Sequence, residues 1–301
     1  MAFSLPFPPL KRYRFAPILG WSASRYDVFS TCKRKYYYAY YSKYDTEFGD
    51  ARIKFLKGLT TEALAVGILV HDLIAEMVLR LQKSRKPVDR ERLKAHVLSR
   101  VEQYVQTQRF FELHYKTLEE VPQAAIQQAV LDMVFRFLDS LAWQRLHDLT
   151  PTELASAVIE PEGFGETRVG GLKAYCKVDF LIPNGEKVLI LDWKTGKKDP
   201  EKFRKQLLGY ALFATENLGV STSDIEAKVV FFKPEYEEVA LDLRAEEIAN
   251  FIQVVGRETQ EMYAYTLDIE NNLPRDKEQF EMLREGHGLC AYCEYKELCG
   301  R

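Results

Sequence analysis

Long apolar runs are missing from this chain. The longest, Ala63 to Val70, is interrupted by Gly67 and falls far short of the roughly 20 residues a membrane-crossing helix needs. A surplus of positive charge is missing too. With 42 basic and 44 acidic residues the net charge is −2, so no long-range field draws the chain to nucleic acid, and any such contact must come from local patches. There is no internal repeat, no low-complexity tract and no G-x-x-x-x-G-K-[ST] loop, which excludes a P-loop motor within the chain. The proline-broken start (Pro6, Pro8, Pro9) places its basic residues after its apolar ones and does not read as a secretory leader. Cysteine is scarce, at five residues. A cytoplasmic location is expected, with thiols reduced rather than paired as disulfides and no membrane partner.

What is present is enough for a large core: 301 residues, 47% of them hydrophobic. The most informative stretch is Val188-Leu189-Ile190-Leu191-Asp192-Trp193-Lys194-Thr195-Gly196. An apolar strand ends in an acid and a lysine, and burying either charge alone costs several kcal/mol. Upstream, Pro183-Asn184-Gly185-Glu186 reads as a tight turn, with Asn-Gly suited to type I′. With Asn184 and Gly185 as the loop, Asp179 falls opposite Ile190 and Asp192 is its diagonal neighbour on the same face. Lys194 follows at period two. The pattern predicts a metal site built on Asp179 and Asp192, with a catalytic amine beside it. A solvent-facing Asp192–Lys194 pair fits poorly, because the residues flanking it are apolar on both faces.

Cysteines carry the second signal. Cys290, Cys293 and Cys299 form C-x2-C-x5-C in the last twelve residues, one thiolate short of a four-thiolate site. Cys32 or Cys176 completes the set, and Cys32 is the better candidate because no hairpin constrains it. An iron–sulfur cluster and zinc are both compatible with four thiolates.

The remaining chain is read more coarsely. A helix over 61–83 carries Gly67 and His71 on one face, and helices are expected near 90–111 and 122–147. Strands are expected near 154–160, 172–182 and 187–193. Asp199-Pro200 then caps a helix that places Gln206 and Tyr210 four residues apart and stops at Gly219. Two strands near 228–233 and 238–243 and a helix over 245–266 follow. Lys33-Arg34-Lys35 beside Tyr36, Tyr37, Tyr38, Tyr40, Tyr41 and Tyr44, with Lys11, Arg12, Arg14 and Arg25 before them, suits either single-stranded nucleic acid or a packed helix with solvated cations.

In these residues the chain resembles the PD-(D/E)XK nuclease superfamily, and within it the RecB-type branch. Asp192-Trp193-Lys194-Thr195-Gly196 matches its D-x-K-T-G, with Asp179 as the preceding hairpin acid. Gln206 and Tyr210 match Q-x-x-x-Y, Gly67 and His71 match G-x-x-x-H, and Glu160 matches the upstream acid. Cys176 stands where the family usually has glycine. The resemblance implies an α/β fold with a restriction-endonuclease-like core, a central mixed sheet flanked by helices. It also implies one nuclease domain over 1–301, with a helical insertion over 84–152 and a subdomain of 20–45 with 285–301 stapled by a [4Fe–4S] cluster on Cys32, Cys290, Cys293 and Cys299. Mg²⁺ or Mn²⁺ is implied at His71, Asp179, Asp192 and the Trp193 carbonyl. Lys194 would activate water, Glu160 would serve a second ion or an outer water, and Gln206 and Tyr210 would position substrate. The expected substrate is DNA, single-stranded or at ends, and the expected partner is a helicase or a CRISPR-adaptation protein. An inactive DNA-binding scaffold of the same fold and an iron–sulfur redox sensor are the alternatives.

Overall fold

The hairpin that dominates the sequence lies at the centre of a five-stranded mixed sheet. The computed structural model describes residues 7–161 and 164–301, so Pro6 lies outside the described residues. Strand order is Val158–Ile159, Phe180–Asn184, Lys187–Lys194, Ile225–Phe231, Glu237–Leu241. All neighbours are antiparallel except Lys187–Lys194 and Ile225–Phe231, which run parallel. A parallel pair requires a crossover, and the helix Arg204–Leu218 supplies it.

The chain divides into two units by its internal contacts. One takes the described residues of Met1–Lys11, Thr60–Thr167 and Cys176–Ala249, the other Arg12–Leu59, Arg168–Tyr175 and Asn250–Arg301. In the first unit, the helix Glu62–Lys83 starts at Thr61, whose hydroxyl accepts from the Leu64 amide. Its apolar stripe, from Val66 through Leu81, is buried against Arg90–Thr107 and Gln123–Leu138. Phe180, Ile182, Leu189, Leu191 and Trp193 close the same core from one sheet face. The segment 84–152 holds Arg90–Thr107 and, where one helix was expected over 122–147, the two helices Gln123–Leu138 and Leu141–Asp148 split at Ser140, whose side chain caps the second; all three share the core.

Two expectations fail locally. Instead of a strand near 154–160 there is a helix, Pro151–Ser156, followed by the two-residue strand Val158–Ile159. Thr150 and Glu153 form a capping box and Pro151 sits in the first turn, signals strong enough to start a helix that apolar content alone does not reveal. The stretch 172–182 is not one strand either. Leu172–Tyr175 belongs to a separate two-stranded ribbon with Glu166–Val169, and only Phe180–Asn184 joins the main sheet.

The hairpin register also needs correcting. Asn184 pairs with Lys187 and Leu181 with Ile190, so the two loop residues are Gly185 and Glu186. Gly185 has φ +63°, while Asn184 and Glu186 are not in the left-handed region, which is the type II′ rather than the type I′ pattern. Continued one step, this register sets Asp179 directly across from Asp192 instead of diagonal to it. The pairing moves by two residues, and a shift of two leaves every side chain on its face, so the acids still converge.

The second unit brings residues 12–59 together with 250–301. Ser22 caps Ala23–Thr31, and the Cys32 sulfur caps Lys33–Tyr41 by accepting from the Lys35 amide at 3.4 Å. Tyr36, Tyr37, Tyr38 and Tyr41 are buried, in ring contact with one another and with Phe29, Phe280 and Tyr295. The C-terminal residues follow as short 3₁₀ turns, Gly288–Tyr292 and Lys296–Cys299.

Candidate active site and cysteine cavity

Strand alternation separates the two jobs of the segment Lys187–Lys194. Leu189, Leu191 and Trp193 enter the helical core, and Asp192 and Lys194 take the other face. Trp193 is wedged against Phe137, Phe180 and Phe232. That wedge fixes the backbone between the two functional residues. The Asp179 carboxylate accepts from the Trp193 amide at 2.9 Å, and His71 Nε2 lies 3.1 Å from the Trp193 carbonyl oxygen. His71 Nδ1 is 3.6 Å from Asp179 Oδ1. Gly67, one turn earlier on the histidine helix, explains how that helix comes so close: a Cβ there would stand 3.3 Å from the Thr195 hydroxyl.

The acids are held in an unfavourable state. Asp192 is fully buried and neither of its carboxylate oxygens has an aligned hydrogen bond. Lys194 Nζ makes an ionic contact of 2.6 Å with Asp192 Oδ2. Burial raises Asp179 to about 6, against the pull of Lys194. Burial and then the neighbouring Asp179 charge raise Asp192 to about 7. His71 is pushed below its ordinary value by burial and then by the Lys194 ammonium. It is therefore a neutral imidazole, with one N–H and one lone pair. Whichever tautomer forms, its lone pair faces an oxygen acceptor, either Asp179 Oδ1 or the Trp193 carbonyl. Two acids, an imidazole lone pair and a carbonyl that all face one another form a donor set for a hard cation. Among the described residues, no group of three or more His, Cys, Asp or Glu side chains is drawn to metal-holding distance as it stands.

Lys194 is itself oriented. Its Nζ donates to Gln206 Oε1 at 3.1 Å and lies 4.5 Å from the centre of the Phe203 ring. The Gln206 amide nitrogen in turn donates to the Tyr210 hydroxyl. Burial raises Tyr210 well above its ordinary value, so it stays a neutral phenol. Gln206 and Tyr210 come together because Asp199 caps the turn Pro200–Phe203 that leads into their helix, and left-handed Gly219 ends it, as expected. Glu160 sits beside this group with its amide donating to the Asp179 carbonyl at 3.2 Å, but its carboxylate is already paired with Lys177 at 2.6 Å. All eight expected residues of the hairpin site thus lie in one unit and one neighbourhood.

Sequence reasoning missed three contributors: Phe203 beside the lysine, Lys177 on Glu160, and Asp72. Asp72 is raised by burial and then by Glu160, and Arg100 lies 3.7 Å away. Lys177 was legible in principle, standing two residues before Asp179. Phe203 and Asp72 carry no sequence signal of their own.

The four cysteines proposed as a set, Cys32, Cys290, Cys293 and Cys299, line one cavity of about 200 Å³ in the second unit. All are free thiols and partly exposed. Burial raises Cys293 to about 11 and also lifts Cys299, so both stay protonated until a metal replaces the proton. The donor chemistry fits a thiolate-bound metal or cluster, although the sulfurs are not gathered to ligating distance. Cys176 stays apart, buried in the first unit with its amide donating to the Gly165 carbonyl at 3.0 Å. The basic triplet resolves toward packing. Lys33 lies over the Phe29 ring and donates to the Phe29 carbonyl, Arg34 donates to the Phe280 carbonyl, and Lys35 pairs with Glu294 at 2.7 Å. No helix among the described residues is long and apolar enough to cross a membrane.

A family model described as the PD-(D/E)XK nuclease superfamily matches residues 20–300. No curated protein matches the chain significantly. Among solved structures, the crystal structure of SSO0001 is similar over 77% of this chain and 94% of that one, at 17% identity and a TM-score of 0.31, a likeness too loose to bear on the site.

Proposed function

The chain belongs to the PD-(D/E)XK nuclease superfamily, and from that premise we propose that it is a metal-dependent DNA nuclease working on single strands or on DNA ends. One observation carries the reading: Asp179 and Asp192 are buried close enough for the charge of one to raise the pKa of the other, with the Lys194 amine in ionic contact with Asp192. Asp179, Asp192, His71 and the Trp193 carbonyl are the residues that would hold Mg²⁺ or Mn²⁺. Bound there, the ion would offset charge on the reacting phosphate and lower the pKa of water. Asp179 fixes the strand by accepting from the Trp193 amide, which aims the Trp193 carbonyl at His71. Gln206 holds Lys194 toward the acids, and Tyr210 holds Gln206. Lys194 then orients the attacking water or takes its proton. Glu160, tied to Lys177, would serve an outer water or a second ion.

The cysteine cavity supports a second component of the reading. Cys32, Cys290, Cys293 and Cys299 would hold one [4Fe–4S] cluster, with zinc as the alternative, that links the two ends of the chain and takes no part in hydrolysis. The protein would act in the cytoplasm beside a helicase or a CRISPR-adaptation protein, since the chain carries no nucleotide-binding motor loop.

Incubating anaerobically purified protein with end-labelled single- and double-stranded DNA tests the nuclease. Cleavage should require Mn²⁺ or Mg²⁺ and stop with chelator. Mn²⁺ should serve at least as well as Mg²⁺, because imidazole is a softer donor than carboxylate. Absence of cleavage with every metal and substrate, from folded protein, would sink the assignment.

A further inference from the structure

The charge of this chain is unevenly placed. Its first acidic residue is Asp27, and the 26 residues before it contain Lys11, Arg12, Arg14 and Arg25. Arg25 is occupied, donating to the Gly20 carbonyl at 2.9 Å and lying 4.1 Å from the centre of the Tyr40 ring. Arg12 and Arg14 are exposed, and among the described residues neither forms an ion pair. Between and after them stand Tyr13, half-exposed, and Phe15, 83% exposed. An aromatic ring so open to water contributes little to the core and has a face free for a ligand.

The segment is not a loose tail, because the structure pins its far end. Trp21 donates to the Lys173 carbonyl at 2.9 Å and accepts from the Tyr175 amide at 2.7 Å, a parallel bridge onto the ribbon strand Leu172–Tyr175. Gly20 allows this approach, since a Cβ there would stand 2.4 Å from the Tyr175 ring. Lys173 donates to the Ala16 carbonyl at 2.6 Å, and the Arg168 guanidinium covers the Tyr13 ring at 4.1 Å. Exposed cations and the open Phe15 ring, its centre 5.7 Å from Lys173 Nζ, are thereby presented on an anchored backbone.

We propose that Arg12–Phe15 is a binding track for single-stranded DNA, in which Arg12 and Arg14 hold successive phosphates and Phe15, beside Tyr13, stacks an unpaired base. The proposal rests on the nuclease reading for its choice of ligand and adds a substrate-binding element outside the hairpin site. Single strands are favoured over duplex because an open ring face can only be covered by a base whose own face is free. Ring faces also separate DNA from an acidic protein, which would use the arginines and leave Phe15 idle.

Fluorescence anisotropy with labelled dT20, in chelator so that no strand is cut, tests this on the full chain. Arg12→Glu with Arg14→Glu should weaken dT20 binding at least about tenfold and flatten the dependence of log K on log salt by about 1.4, the value for two phosphates on a single strand. Phe15→Ala should weaken dT20 by roughly tenfold and a 20-base-pair duplex much less. Arg12→Lys with Arg14→Lys should keep most of the affinity. Binding of dT20 within twofold of the parent in both the charge-reversed and the Phe15 variants overturns the proposal, as does competition by poly-glutamate that depends on the arginines but not on Phe15. Hydrolysis of bis(p-nitrophenyl) phosphate by the parent with Mn²⁺ separates the two readings, because this substrate has no nucleobase and no strand. If neither it nor DNA is cleaved by folded protein while dT20 binding still depends on the track, the nuclease reading falls and the track stands.

Discussion

Asp192 is the residue at which the proposed function and stability oppose each other. Its carboxylate is buried, poorly hydrogen-bonded and raised to about 7 by burial and by Asp179. A group whose carboxyl pKa is raised on folding opposes folding when ionised. Asp192→Asn should therefore abolish cleavage and, in chelator at pH 8, raise the melting temperature; a lower melting temperature would show that the Lys194 contact outweighs the burial cost. Lys194→Ala should lower cleavage by about 10²–10⁴-fold, the usual contribution of a positioned proton-transfer group, while divalent binding followed by calorimetry persists. Cleavage within a few-fold of the parent would reject the role given to Lys194. His71→Ala should remove the preference for Mn²⁺ over Mg²⁺ in the same assay, and full Mn²⁺ activity in that variant would make His71 a packing residue.

At the scale of elements, two features invite tests. Gly67 sits inside a helix, where Ala is normally better by about 1 kcal/mol, yet its position faces Thr195. Gly67→Ala should leave the melting temperature equal or higher and lower the cleavage rate, because the histidine helix must give by a few tenths of an ångström. The edge strand Glu237–Leu241 is tied by Glu238, which accepts from Arg145 at 2.6 Å, Tyr236 at 2.7 Å and Lys228 at 2.9 Å. Burial pushes Glu238 up, but these donors outweigh it and leave its carboxyl below the ordinary value. A depressed acid stabilises the fold at pH above the unfolded value and loses that contribution as pH falls through the folded one. Urea midpoints should thus drop between about pH 5 and 3, and Glu238→Gln should flatten that dependence while costing about 2 kcal/mol at pH 7. An unchanged pH profile in the variant would assign the acid sensitivity elsewhere. The hairpin and the Asp199-capped helix were both visible in the sequence, because turn and cap signals are local. Pro151–Ser156 departs from the expected strand because the Thr150–Glu153 capping box and Pro151 start a helix ahead of the apolar residues suited to a strand.

For the whole molecule, the cysteine cavity decides whether the chain is closed by a cofactor. Cys32→Ala, Cys290→Ala, Cys293→Ala and Cys299→Ala should each give colourless, less stable protein, since thiolate–metal free energy is part of folding. Cys176→Ala should leave colour and iron unchanged, because that thiol is buried in the other unit. Stoichiometric zinc without iron or sulfide in anaerobic preparations would replace the cluster by zinc and leave the nuclease untouched. The sequence by itself determined which residues are the candidates for chemistry: Asp179, Asp192 and Lys194 share a face at period two in any register that differs by two, and C-x2-C-x5-C needs no structure to be seen. It also determined the helix caps and the apolar stripe of Glu62–Lys83, which follow from contacts within a few residues. Only the tertiary structure decided what those residues face. It set Asp179 across from Asp192 rather than diagonal to it, brought Gln206 to Lys194 through a crossover helix, and spent the tyrosines of Lys33–Tyr41 on the core. Those outcomes depend on how apolar surfaces far apart in the chain are buried together, a property of packing that no local pattern records.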